Sequence, residues 1–202
     1  MTFPADKPAL RSRMIELRRM AAENLPGAGD DLARNYPGAW LPAAGAPVAG
    51  YWPLPGEIDP RPLMKHLCDL GHPLCLPVVQ GHDQPLVFRG WTDGDALERR
   101  PMGVMEPRDD RPALRPGLVL VPLLACDRSG NRLGFGKGYY DYTLAALRAA
   151  GQVRAIGLAF DCQVLATIPA ERHDQALDGV VTQSGSMPFP AHPGTPDDRG
   201  MP

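Results

Sequence analysis

The run GLVLVPLLAC, Gly117 to Cys126, sets the tightest limit on the fold. A strand with one face in water alternates apolar and polar residues. This one carries apolar side chains on both faces, as strands do when helices cover both sides of a parallel sheet. Pro122 cannot donate to a ladder and marks the strand's end.

Around this run, strand and helix patterns alternate. "PVAGYWPL" predicts a strand from Val48 to Trp52 and "LCLPVV" another, with "PLVFRGW" following after a turn through Gly81, His82 and Asp83. "VRAIGLAF" and "GVVTQ" read as two more strands. In "KPALRSRMIELRRMAAENL", Leu10, Met14, Leu17 and Ala21 share one helical face and the arginines lie elsewhere. "DPRPLMKHLCDLG" predicts a helix with Asp59 as N-cap, Pro60 at its first position and Gly71 just past its end. "YYDYTLAALRAAG" predicts a third, closed by Gly151. Such alternation implies an α/β fold with a mainly parallel sheet flanked by helices.

The 24 prolines and 22 glycines cluster between these segments. They predict a Gly/Pro-rich connection after the first helix and an irregular stretch from Thr92 to Pro116. We expect one domain over residues 1–184 and a disordered tail over 185–202, where apolar periodicity ends.

A net charge of −2 offers no basic field for nucleic acid. No apolar stretch nears the roughly 18 residues that span a bilayer, and "MTFPADKPAL" lacks the apolar core of a signal peptide, so a cytoplasmic protein is expected. Cys68, Cys75, Cys126 and Cys162 show no paired spacing and read as reduced core residues. His66 and His72, near one helix end, read as surface residues rather than metal ligands.

The segment carrying chemistry is "RLGFGKGYYD", Arg132 to Asp141. Alternating glycines strip side chains from a bend, letting backbone N–H groups approach a ligand, and the bend sits between a buried strand and a helix N-terminus, where α/β proteins bind phosphate. Lys137 and Arg132 add cations. The spacing from Gly130 to Lys137 is one residue too long for a Walker A loop and Gly138 replaces its Ser/Thr. Nor is it a dinucleotide fingerprint, since Tyr139 stands where the third glycine belongs. On the glycines alone, a tight strand-to-helix turn remains open.

Read as one block, "VPLLACDRSGNRLGFGKGYYD" resembles the signature of the 5-formyltetrahydrofolate cyclo-ligase (methenyltetrahydrofolate synthetase) family. The likeness runs in order from about Lys7 to Thr182, through "KPALR", "GYWPLPGEID", "GVMEP" and "IPAERHDQALDGVVT". It implies a three-layer αβα sandwich of the kind shared with sugar-phosphate isomerases and CoA transferases. It also implies an ATP- and Mg²⁺-dependent closure of 5-formyltetrahydrofolate to 5,10-methenyltetrahydrofolate; a monomer is expected.

By the same resemblance Lys7 and Arg11 reach the ATP phosphates from the first helix. Arg132, Leu133, Gly134, Phe135, Gly136, Lys137, Gly138, Tyr139 and Tyr140 form the nucleotide loop, with Lys137 and Arg132 stabilising the transferred phosphoryl group and Tyr140 also fitting the core. Asp141 and Asp174 would hold Mg²⁺, the alternatives being a helix cap for Asp141 and a solvated loop acid for Asp174. Asp127, a near neighbour, reads as a turn or cap residue. Trp52, Glu57 and Tyr139 are expected on the folate side, though Glu57 also fits an exposed turn and Trp52 a core position. Met102, where the family usually has an aromatic residue before the G-x-x-E-P glycine, can still pack against a ring. A sugar-phosphate isomerase of this fold group would need a carboxylate–lysine string that is not found. A non-catalytic phosphometabolite-binding module would normally be joined to a DNA-binding domain, and the N-terminal region predicts one helix rather than a helix-turn-helix pair.

Overall fold

A computed structural model describes residues 6–100 and 103–191. Helix α1 (Lys7–Asn24) opens where Asp6 accepts the N–H of Ala9 at 2.7 Å. It buries Leu10 and Met14 as its periodicity predicts, and also Arg18, which sequence reading placed among the solvent-facing arginines. Position 18 is one helical turn beyond Met14, on the apolar side.

A second helix, α2 (Ala28–Asn35), occupies the segment expected only as a Gly/Pro-rich connection, and a 3-10 turn follows at Gly38–Trp40. Strand β1 (Val48–Ala49) is shorter than the predicted Val48–Trp52 because the chain turns into a loop at Gly50. Helix α3 (Arg61–Asp69) starts one residue later than expected; Pro60 is its N-cap and Asp59 accepts the Arg61 N–H at 2.9 Å. Leu63 and Leu67, one turn apart, are fully buried. That burial, about 1.5–3 kcal/mol for each leucine, anchors a helix too short to persist alone.

Next come β2 (Leu74–Val78) and β3 (Val87–Gly90), then β4 (Leu97–Arg99) and β5 (Met105–Pro107). The last two pair inside the stretch expected to be irregular. The apolar run splits into β6 (Leu118–Pro122) and β7 (Ala125–Asp127), followed by β8 (Arg132–Leu133), α4 (Tyr139–Ala150), β9 (Arg154–Leu158), β10 (Val164–Leu165) and β11 (Gly179–Thr182). β12 (Gly185–Pro188) corrects the expected tail. It pairs antiparallel with β11, and Phe189 beyond it is buried. The rest of that tail, from 192, lies outside the described residues.

The main sheet has the order β12-β11-β9-β6-β1-β2-β3, with a parallel interior and antiparallel edges at β3 and β12. Alternation along each strand divides its side chains between two faces. Val48, Leu76, Leu118, Leu120 and Ile156 pack with Leu32 of α2 and with α3, whereas Ala49, Cys75, Val119, Val121 and Ala155 pack with Leu144 of α4. This is the three-layer α/β sandwich that was expected. A small sheet, β10-β7-β8, stands beside it and packs against Leu10 and Met14 of α1.

Two smaller expectations need correction. Cys75 and Cys126 are buried, but Cys68 and Cys162 are exposed. His72 is buried, with Nδ1 3.1 Å from the Ala46 carbonyl, because the turn after α3 folds inward.

Candidate functional site

A cleft of about 1330 Å³ opens where the parallel strands β1, β2 and β6 end. In open α/β sheets this edge gathers loops from separate elements. Here it gathers the start of α1, the loop after β1, the loop after β2, the β4–β5 hairpin, the glycine loop and the segment around Asp174.

Local chemistry positions the glycine loop. The turn between β7 and β8 is fixed by buried Asp127, which accepts from Ser129 N, Asn131 N, Asn131 Nδ2 and Ile168 N at 2.9–3.1 Å. That is the turn role expected for it. β8 then carries Arg132 and buried Leu133 to the cleft. Gly136 lies at φ 91° and Gly138 at φ 69°, a left-handed conformation that L-residues with a Cβ seldom adopt. Gly138 is the N-cap of α4 and offers no side chain to its amides. Arg11 lies under the bend: its Nε donates to the Gly134 carbonyl at 3.0 Å, and a Cβ on Gly136 would come within 3.2 Å of its Cζ. Lys137 is exposed on the cleft wall and makes no ion pair among the described residues. A bare backbone bend backed by Arg11 and flanked by Lys137 suits a polyphosphate.

Arg132 is buried, with its Cζ 5.6 Å from the ring centre of Tyr140 and its Nη2 donating to Asp141 Oδ1 at 2.9 Å. The same oxygen accepts from Gln175 N at 3.1 Å. Asp141 therefore ties its loop to the segment carrying Asp174 and does not cap its own helix. Asp174 Oδ2 accepts from Lys7 Nζ at 3.0 Å and from Glu171 N at 2.8 Å. Lys7 also meets Glu171 Oε1 at 2.8 Å. Burial works against the charge on Lys7, but Glu171 and Asp174 outweigh it and hold the pKa above the ordinary lysine value.

No group of three or more His, Cys, Asp or Glu residues converges on a metal position among the described residues. Mg²⁺ does not need one, since it takes one or two carboxylates together with phosphate oxygens and water. Asp141 Oδ2 and Asp174 Oδ1 accept no hydrogen bond among the described residues. The donor set fits a nucleotide-bound Mg²⁺.

Across the cleft, Trp52 meets Trp91 edge to face at 5.9 Å, and Arg61 Cζ lies 5.1 Å from its ring centre. Glu57 is buried rather than an exposed turn residue: Oε1 faces Arg18 Nη1 at 3.1 Å and Oε2 accepts the Leu54 N–H at 2.9 Å. Burial pushes its carboxyl above the ordinary glutamate range, against the pull of the Leu54 N–H and Arg18. Tyr139 and Tyr140 line the same cleft, and Tyr140 also packs against the core on the α4 side. Met102 lies outside the described residues, while Val104, Met105 and Glu106 of its motif line the cleft.

Sequence reading missed three contributors. Glu106 is buried, accepts the Val79 N–H at 3.0 Å and meets Arg100 Nε at 3.3 Å, holding the hairpin to the end of β2. Glu171 shares Lys7 with Asp174, and Arg18 lies behind Glu57. Arg18 left a signal in its place on the apolar side of α1, and Glu106 in its place as the acid of the G-x-x-E-P element.

Residues 4–183 match the model of the 5-formyltetrahydrofolate cyclo-ligase family. A protein named 5-formyltetrahydrofolate cyclo-ligase from Mycolicibacterium smegmatis is 35% identical over 187 residues, covering 89% of this chain and 94% of its own. One of the same name from Escherichia coli K12 is 34% identical over 142 residues, covering 68% of this chain and 78% of its own. Among solved structures, the 5,10-methenyltetrahydrofolate synthetase of Aquifex aeolicus superposes with a TM-score of 0.73 at 27% identity, covering 92% of this chain and 94% of that one.

Proposed function

The chain belongs to the 5-formyltetrahydrofolate cyclo-ligase family, and we propose that it closes 5-formyltetrahydrofolate to 5,10-methenyltetrahydrofolate with ATP, releasing ADP and phosphate. One observation carries this reading. A single cleft holds the glycine loop with Arg11, Arg132 and Lys137 on one wall and Trp52 and Glu57 on another, so a polyphosphate and an aromatic, hydrogen-bonding ring system can meet in it.

The formyl oxygen is a poor leaving group, so attack on the formyl carbon by the neighbouring N10 amine would stall at loss of hydroxide. Transfer of the γ-phosphoryl group to that oxygen lets it depart as phosphate once the N10–carbon bond forms, and the N10 proton is released. No protein nucleophile is required, and the protein's contribution is positioning and charge stabilisation. Asp141 and Asp174 would hold Mg²⁺, which when bound would neutralise charge at the phosphates. Lys137, the loop amides and Arg11 hold the phosphates, and Lys7, released from Glu171 and Asp174, adds a further cation. Arg132 stays braced between Tyr140 and Asp141 and presents its charge to the transferring group. Trp52 and Tyr139 offer ring surface, and Glu57 accepts from the N–H edge of the pterin.

The test is incubation with 5-formyltetrahydrofolate and Mg²⁺, with and without ATP, following the near-ultraviolet absorbance of the methenyl product. An ATP-dependent rise is expected, and its absence would overturn the reading.

A further inference from the structure

Arg18 is set into the apolar side of α1, close to Glu57 and Phe135, yet it does not line the cleft. Its Nη1 faces Glu57 Oε1 at 3.1 Å, its Cζ lies 5.3 Å from the ring centre of Phe135 in the glycine loop, and its Nε is buried without a hydrogen-bond partner. Both partners in the ion pair are about 95% buried, at 6% and 5% side-chain exposure. A buried pair of this kind is a poor source of stability, because desolvating two charges offsets their attraction.

Glu57 does not need Arg18 to stay in place. The Glu57 N–H donates to the Leu54 carbonyl and the Leu54 N–H donates to Glu57 Oε2, both at 2.9 Å, closing a turn that fixes the carboxylate. What Arg18 adds is charge. Resting on the proposed folate reading, we propose that Arg18 is a positioning residue that keeps Glu57 ionised as the acceptor for the pterin N–H edge. Through Phe135, it also links that acceptor to the nucleotide loop.

The groups facing Glu57 are few. Arg18 comes from α1, Tyr51 from the loop after β1 and Tyr140 from α4, and burial holds both tyrosine hydroxyls well above their ordinary range, so they stay neutral through neutral pH. Burial raises the Glu57 carboxyl and Arg18 opposes that rise. Removing the guanidinium moves the carboxyl further up, so the acceptor is lost at low pH and regained as pH increases.

The experiment measures binding of 5-formyltetrahydrofolate without ATP, by the fluorescence of Trp52 and Trp91, from pH 6 to 9. Arg18→Met keeps an unbranched apolar stem and loses the guanidinium and its charge. It is expected to weaken binding by up to about tenfold near pH 6 and progressively less toward pH 9, because the carboxyl loses the charge that opposes its burial and is ionised only as pH rises. Arg18→Lys should recover most of the loss at low pH. Glu57→Gln placed in the Arg18→Met background should cost much less than Glu57→Gln alone, because both act through one acceptor. A wild-type pH profile in Arg18→Met, or a loss equal at every pH, overturns the proposal alone. Failure of the wild-type protein to bind the folate overturns the functional reading and this proposal with it. If Arg18→Met does not fold, Arg18→Lys carries the test: a profile superimposable on that of Glu57→Gln would overturn the proposal.

Discussion

Asp141 Oδ1 is shared by two donors, Arg132 Nη2 at 2.9 Å and Gln175 N at 3.1 Å. The glycine loop is thereby tied to a segment some thirty residues later in the chain, and the second oxygen is left for another partner. If that partner is Mg²⁺, Asp141→Asn keeps an acceptor for both donors and loses the charge that binds the ion. We expect the half-saturating Mg²⁺ concentration at saturating ATP to rise about tenfold or more, and the melting temperature to fall as well, because buried Arg132 loses the charge that balances it. Asp174→Asn should act likewise, and the double variant should be less than additive, since both work through one ion. Unchanged half-saturation in Asp141→Asn would reduce this acid to a brace.

Lys137 and Arg11 should separate chemistry from architecture. Lys137 is exposed and unpaired among the described residues, whereas Arg11 supports the loop through the Gly134 carbonyl. Lys137→Ala is expected to lower kcat/KM for ATP by about 10²–10³, the loss seen when one such charge-stabilising donor is removed, at unchanged melting temperature. Arg11→Ala should weaken ATP binding and also lower the melting temperature. Calorimetry and thermal denaturation of both variants provide the check.

The sheet was legible in the sequence because its interior strands are unbroken apolar runs, and the glycine loop was legible because its string is long. Helix α2 was not. Its eight residues bury only Ala28, Gly29 and Leu32 and stand among prolines and glycines, so composition outweighed a two-residue apolar signal. Strand β12, "GSMP", has the residues of a turn and is ordered by pairing with β11. Arg18 looked like one more surface arginine, because a partner 39 residues away in sequence is invisible to local pattern. The acids were found by resemblance, but the way Lys7 is shared between Glu171 and Asp174 follows from tertiary packing alone.

The strand after Ser184 should matter for stability. Truncation there removes β12 and the buried ring of Phe189, whose burial alone is worth about 1.5–3 kcal/mol. In a domain of this size each kcal/mol moves the melting temperature by about 2–4 °C. A loss of at least about 5 °C is expected, and a truncated protein that melts like the full chain would show that the edge strand contributes nothing.

Thiol reactivity should follow burial. Burial pushes the Cys75 and Cys126 thiols up to about 12, so at pH 8 only about one in 10⁴ is a thiolate. Cys68 is exposed, and Cys162, also exposed, is raised by its surroundings. Alkylation followed by mass spectrometry should label Cys68 first, then Cys162. The other two should react only after denaturation.

Two glycines with the same backbone requirement should fail in different ways. Gly130 at φ 85° and Gly136 at φ 91° both lie where a Cβ is strained, at a cost of about 1–2 kcal/mol. At Gly130 the added Cβ would also come within 2.7 Å of the Leu177 carbonyl, a backbone atom that cannot move without disturbing the segment entering β11. At Gly136 the nearest obstacle is the Arg11 guanidinium at 3.2 Å, the end of a flexible side chain that can move aside, but only by leaving the loop it supports. Gly130→Ala should therefore lower the melting temperature by several degrees while the folded fraction keeps its affinity for ATP. Gly136→Ala should melt closer to wild type and bind ATP at least tenfold more weakly. Calorimetric titration with ATP beside thermal denaturation distinguishes them, and wild-type affinity in Gly136→Ala would mean that the bend is only a strand-to-helix turn.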